Sequence, residues 1–300
     1  ENPNAVDGRL IGYVQAIALR NRFFHWHLEF PEVFEAGGFD CVLSNPPWER
    51  IKLQEQEFFA TRDPEIANAP NKAARERLIR ALRDRNPALL SEFEAELHLA
   101  DAQSKLIRQG RRFPLAARGD INTYAVFTEH SRGLLCPRGR AGIIVPTGIA
   151  TDDTTKAFFG DLMAARCLVS LTGFENEAFI FPAVHHFTKF CALSIAGDGT
   201  PVRSADFVFF CRHFPQVQDQ RRHFSLSPDD IRLLNPNTGT CPIFRTAADA
   251  ELTKAIHASV PVLANEVTGQ NPWSIRFLAM LHMANDSALF GTQHRSGVVP

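Results

Sequence analysis

Phe39-Asp40-Cys41-Val42-Leu43-Ser44-Asn45-Pro46-Pro47-Trp48 is the stretch that decides the fold of this chain. Its first six residues follow Gly37-Gly38 and form a short, mostly apolar run between turn formers, the pattern of a buried parallel strand. The strand must stop at Pro46-Pro47, because neither proline has an N–H to give to a ladder. A residue before proline is kept out of the helical region, so Asn45 is held extended. Positions just outside the carboxyl ends of strands are where open α/β sheets bind ligands.

Working outward, residues 7–22 read as a helix and residues 23–34 as an aromatic connector whose Trp26 and phenylalanines pack against the sheet. Residues 49–112 are helical and charged, with breaks near Pro64, Pro70 and Pro87. Asp120-Ile121-Asn122-Thr123 caps a further helix that turns Tyr124, Phe127, Leu134 and Leu135 inward. A second buried strand covers 141–145, ended by Pro146, and Thr151-Asp152-Asp153 caps a helix from 154 to about 165. Residues 167–172 and 187–196 are a third and a fourth strand. Strands alternating with helices predict an open α/β sheet with crossover helices. Residues 201–300 are richer in Pro, Asn, Gln and His, which places a boundary near 197–201, with residues 1–200 as one unit. Phe207, Phe209, Phe210, Phe214 and Phe224 suggest a strand-rich core for the second module, with Trp273 and residues 275–283 packing back on the first.

The chain has 300 residues, 45% of them hydrophobic and 22% charged, which excludes a disordered chain, a coiled coil and a fibre. No apolar run approaches the roughly 20 residues of a membrane span. The formal charge of −1 gives no global field, yet residues 70–118 hold eleven basic against six acidic side chains, a local +5. Arg108, Arg111 and Arg112 within that segment could track the phosphates of a nucleic acid; a solvated helical face is the usual explanation for such a run. Six single cysteines without a Cys-x-x-Cys pair point to a reducing, cytoplasmic setting. His25, His27, His185 and His186 lack the Cys or carboxylate partners of a metal site, so no metal is expected. The opening Glu1-Asn2-Pro3-Asn4 has no initiator Met and reads as a piece cut from something longer.

The chemistry lies in Asn45-Pro46-Pro47-Trp48. Two prolines make a stiff turn that offers the Asn45 side-chain oxygen and the Pro46 carbonyl as acceptors, beside the flat Trp48 indole. A planar exocyclic amine fits: its two N–H groups donate to the two acceptors while its ring lies on the indole. Its lone pair is delocalised, and two placed acceptors favour a pyramidal nitrogen whose lone pair faces an electrophile.

Asn-Pro-Pro-aromatic after a buried strand resembles the motif of amino-methyltransferases that use S-adenosylmethionine, chiefly the DNA adenine-N6 enzymes. The flanks FHWHLEFPEVFEAGGFDCVLSNPPWERIK and GDINTYAVFTEHSRGLLCPRGRAGIIVPTGIATDDTTKAFF look like the large methyltransferases of type IIG restriction–modification and phage-exclusion (BREX-like) systems. SPDDIRLLNPNTGTCPIFRTAADAELTKAIH is similar to the module that follows their catalytic domain. The resemblance implies the second half of a Rossmann-like class I methyltransferase sheet. A charged helical insertion at about 49–118 and the start of a target-recognition or accessory module at 201–300 go with it.

It also implies Asn45, Pro46, Pro47 and Trp48 as the catalytic loop and double-stranded DNA as substrate. Phe181 stands where related enzymes place a second aromatic against the extruded base, although a core phenylalanine is the plainer reading. Asp40 falls near the cofactor by this analogy, or simply caps the strand. The glycine-rich turn that approaches the methyl donor has no counterpart, since Gly8 and Gly12 follow no strand. The donor half is therefore expected from a missing N-terminal segment or another restriction–modification subunit. Two other readings stay open: a glutamine-amide protein methyltransferase, and a non-catalytic remnant that binds DNA or a partner.

Overall fold

The computed structural model describes residues 7–276 together with 278, 280 and 282. Helix α1 (Gly8–Asn21) is capped by the Asp7 carboxylate, which accepts from the Arg9 N–H at 2.9 Å. Two short turns follow, α2 (Trp26–Glu29) and α3 (Pro31–Glu35). Trp26, Phe30 and Phe34 gather edge-on around Phe39, at centroid distances of 5.5, 5.8 and 5.7 Å, and dock the connector on the first strand. Gly38 permits that close approach. Its φ is +119°, and a Cβ there would stand 2.7 Å from the Leu134 carbonyl oxygen.

Six strands form one mixed sheet: β1 (Phe39–Ser44), β2 (Leu135–Pro146), β3 (Leu168–Glu175), β4 (Lys189–Ala196), β5 (Ala205–Cys211) and β6 (Phe224–Leu226), in the order β1-β2-β4-β3-β5-β6. β1 runs parallel to β2, and β3 parallel to β5, while β4 lies antiparallel between β2 and β3. The α/β class expected from the sequence is therefore present, with a mixed rather than wholly parallel sheet. The reason is local: a loop, not a crossover helix, joins β3 to β4, so the chain returns in the opposite direction. β5 and β6, beyond the boundary read near 197–201, extend the same sheet, and Phe207, Phe209 and Phe224 belong to the same core as Ile143 and Leu193.

Between β1 and β2 lie α4 (Glu55–Ala60), α5 (Pro64–Ala67), α6 (Lys72–Arg85), α7 (Pro87–Gln109) and α8 (Thr123–Gly133). Pro64 and Pro87 occupy first-turn positions, where a missing N–H costs nothing, and Asp63, Asn71 and Asn86 cap the three helices that follow them. α4 to α7 build a core of their own from Phe58, Phe59, Ile66, Ile79, Leu82, Leu89 and Phe93. After β2 come α9 (Gly148–Thr151) and α10 (Lys156–Ala164), and after β6 come α11 (Pro228–Leu234) and α12 (Ala247–Ser259).

The main core lies between one sheet face, with Ala141, Ile143, Val145, Leu171 and Leu193, and the inner sides of α8 and α10, with Tyr124, Ala125, Phe158, Phe159 and Leu162. Each phenylalanine wholly removed from water contributes about 1.5–3 kcal/mol. Three expectations are corrected. β1 is not buried: it is an edge strand, and Leu43 is 81% exposed, because among the described residues only β2 pairs with it. Phe127 faces solvent, since the inward stripe of α8 is Tyr124, Ala125, Thr128 and Ser131. Trp273 does not pack back on the sheet; it is 50% exposed and donates Nε1–H to the Pro261 carbonyl at 3.0 Å. Residues 277, 279, 281 and 283 of the helix read at 275–283 lie outside the described residues.

Candidate functional site

The carboxyl ends of β1, β2 and β3 and the start of β4 share one edge of the sheet, as the strand directions require. Asn45-Pro46-Pro47-Trp48 leaves β1 at that edge with no regular secondary structure. Pro46 is buried and Asn45 exposed, its amide unpaired among the described residues. Asn45 lines a groove of about 540 Å³ that crosses the open sheet face past Ser44, Ile144, Ala192 and Thr172.

Trp48 is half-buried and packs against Ile144, Phe181 and Phe190. One side of it borders a cavity of about 650 Å³ formed with Glu49, Arg50, Lys52, Leu53, Glu57 and Phe58, at the start of the helical insertion. Its Nε1–H points to the Ile144 carbonyl at 3.4 Å. Its ring meets Phe190 at 6.3 Å and Phe181 at 6.4 Å, the latter pair perpendicular. Phe181 in turn packs edge-on against Phe190 at 4.9 Å. The structure thus brings Trp48 and Phe181 together, edge to face, with no slot between parallel rings.

Phe181 is held by a residue that sequence reasoning missed. Asn176, fully buried just after β3, donates Nδ2–H to the carbonyls of Phe181 (3.0 Å) and Val184 (2.9 Å) and accepts the Phe181 N–H at 2.9 Å. The available signal was an asparagine directly after a strand, the position of a side-chain-closed turn.

The other named residues lie elsewhere. Asp40 is five positions back along β1, roughly 16 Å from Asn45 at strand rise, and accepts from the Cys136 thiol at 3.2 Å. Arg108 closes the loop after α7 by donating to the Gly119 and Ala117 carbonyls. Arg111 and Arg112 are exposed, the latter 5.8 Å over the Phe113 ring. His185 and His186 stack on each other at 4.6 Å, and among the described residues no group of three His, Cys, Asp or Glu converges. All six cysteines are free, and burial pushes the Cys191 and Cys241 thiols upward, which keeps them protonated.

A donor such as S-adenosylmethionine finds little to hold it here. The groove beside Asn45 presents apolar, hydroxyl and amide side chains but no carboxylate or cation.

The chain spans less than half the length of each of the following similar solved structures. The type I restriction–modification methyltransferase subunit from Streptococcus thermophilus is 13% identical over 69% of this chain and 38% of that one, with a TM-score of 0.39. A modification subunit of a putative type I restriction enzyme from Vibrio vulnificus is 11% identical over 67% and 36%, with a TM-score of 0.35. The Type ISP enzyme LlaBIII bound to DNA is 8% identical over 57% and 10%, with a TM-score of 0.31. No curated protein matches the chain. Residues 9–76, which carry Asn45 to Trp48, match the Eco57I restriction-modification methylase family.

Proposed function

We propose that this chain is the acceptor-handling part of a DNA adenine-N6 methyltransferase from a restriction–modification or phage-exclusion system. Its donor is S-adenosyl-L-methionine and its substrate double-stranded DNA. One observation carries the reading: an exposed, unpaired Asn45 amide projects from the end of β1, beside Pro46 and Trp48, within the stretch similar to a restriction-modification methylase.

The target amine donates its two N–H groups to Asn45 Oδ1 and the Pro46 carbonyl. Proline supplies that carbonyl with no neighbouring N–H to compete for it. S-adenosylmethionine would supply the methyl group, its S–CH3 bond breaking to leave a neutral thioether as the N–CH3 bond forms, and Asn45 and Pro46 would bind the nitrogen more strongly as it gains charge, which is the condition for catalysis rather than mere binding. The proton then leaves to water. The adenine must be taken out of the duplex to reach this loop, and Trp48 and Phe181 offer aromatic surface in place of the lost stack. Because the described residues complete no donor pocket, the donor side is supplied by an N-terminal segment or a companion subunit.

The test is transfer of a tritiated methyl group to DNA and, in parallel, to protein acceptors. Asn45→Ala is expected to lower DNA methylation by about 10²–10³-fold, the usual loss for one placed hydrogen-bonding group. DNA methylation that survives this substitution, or label that goes to protein, refutes the reading.

A further inference from the structure

The Asn45–Trp48 loop cannot anchor itself, since two of its four residues have no N–H and none joins a ladder. Its anchor comes from a distant part of the chain. Residues 49–51 pair with 121–123: the Thr123 N–H donates to the Glu49 carbonyl at 2.8 Å, the Ile51 N–H to the Ile121 carbonyl at 3.0 Å, and Arg50 bridges Asn122. The Thr123 hydroxyl adds what backbone cannot. It accepts the Glu49 N–H at 3.0 Å and lies 2.7 Å from the Pro47 carbonyl and 3.0 Å from that of Glu49. A hydroxyl has one proton. The Glu49 carbonyl already has the Thr123 N–H, so the proton goes to Pro47.

One side chain therefore fixes the peptide groups on both sides of Trp48. A second observation separates this role from ordinary capping. α8 begins Asn122-Thr123, two residue types that usually cap helices, yet Asn122 makes no capping bond and donates to the Asp120 carbonyl instead, while the Thr123 oxygen is given to the loop.

We propose that Thr123 is a positioning residue whose hydroxyl holds Pro47 and Trp48 in the conformation that receives the amine. The proposal rests on the methyl-transfer reading for its kinetic consequence but not for its structural one. The experiment compares Thr123→Ser, which keeps the hydroxyl, with Thr123→Val, which keeps the shape without it, in the full-length protein. Two quantities are read: kcat and KM for DNA methylation, and the fluorine resonances of 5-fluorotryptophan, with Trp48 assigned through Trp48→Phe.

Thr123→Ser should stay within about threefold of wild type. Thr123→Val should lower kcat by about ten- to a hundredfold with little change in KM, as expected for displacement of a reacting group. It should also shift or broaden the Trp48 resonance while those of Trp26 and Trp273 stay in place. A Thr123→Val protein with wild-type kcat and an unmoved Trp48 resonance overturns the proposal, and so does Thr123→Ser failing as badly as Thr123→Val. If Trp26 and Trp273 move too, the variant has lost its fold, and Thr123→Ala takes its place under the same criteria. A wild-type protein that methylates no DNA defeats the functional reading alone, because the Trp48 resonance still decides the role of Thr123.

Discussion

Two histidines make opposite demands on pH. His130 is half-buried on α8 against Phe113, and burial, helped by Arg112 and His27, lowers its pKa to about 4. It is neutral in the fold and takes up a proton when the chain unfolds, so stability falls as pH drops from about 6.5 toward 4. For His223, burial pulls the pKa down, but the Val217 carbonyl at 2.6 Å and the Asp206 carboxylate at 2.9 Å outweigh it and leave the pKa raised. Its stabilising effect is complete below about 6.5 and is lost as pH rises through the raised folded value. Thermal melts across pH should show His130→Asn flattening the acid limb and His223→Asn costing more at pH 6 than at pH 8.5; parallel curves for all three proteins would contradict both assignments. At this scale the end of β1 at Asn45-Pro46-Pro47-Trp48 was legible in the sequence, because a proline's missing N–H and its restriction of the preceding residue act locally. Thr123 and Asn176 were not legible as loop holders, since their roles depend on carbonyls that only the folded path delivers.

Strands β1 to β4 and the helices between them were readable from apolar runs and proline positions, and the prolines proved to be first-turn residues of α5 and α7. The orientation of β4 and the exposure of β1 were not, because apolar content does not distinguish a central strand from one at an edge. The junction between α3 and β1 shows how one backbone position fixes an element. Gly38→Ala places a Cβ against the Leu134 carbonyl at positive φ and should cost about 1–3 kcal/mol, seen as a lower midpoint in urea unfolding. Gly8→Ala, in open space on α1, should leave the midpoint level or slightly raised through helix propensity. Equal losses at the two glycines would show that strain at Gly38 is not the cause.

Among the described residues, the sheet is covered by helices on one face and carries a groove across the other, with β1 as an edge strand. An edge strand with an exposed leucine is a template for pairing with further chains. Leu43→Lys should therefore reduce concentration-dependent association in sedimentation velocity without lowering the melting temperature, and unchanged association would place the contact elsewhere. On the loop edge of the same sheet, the perpendicular packing of Trp48 and Phe181 has a consequence for what the site admits. The two rings already satisfy each other, a contact worth about 0.5–1.5 kcal/mol. Under the methyl-transfer reading proposed above, a nucleobase that displaced this contact to stack on either ring, itself worth about 1–3 kcal/mol, would keep only the difference between the two.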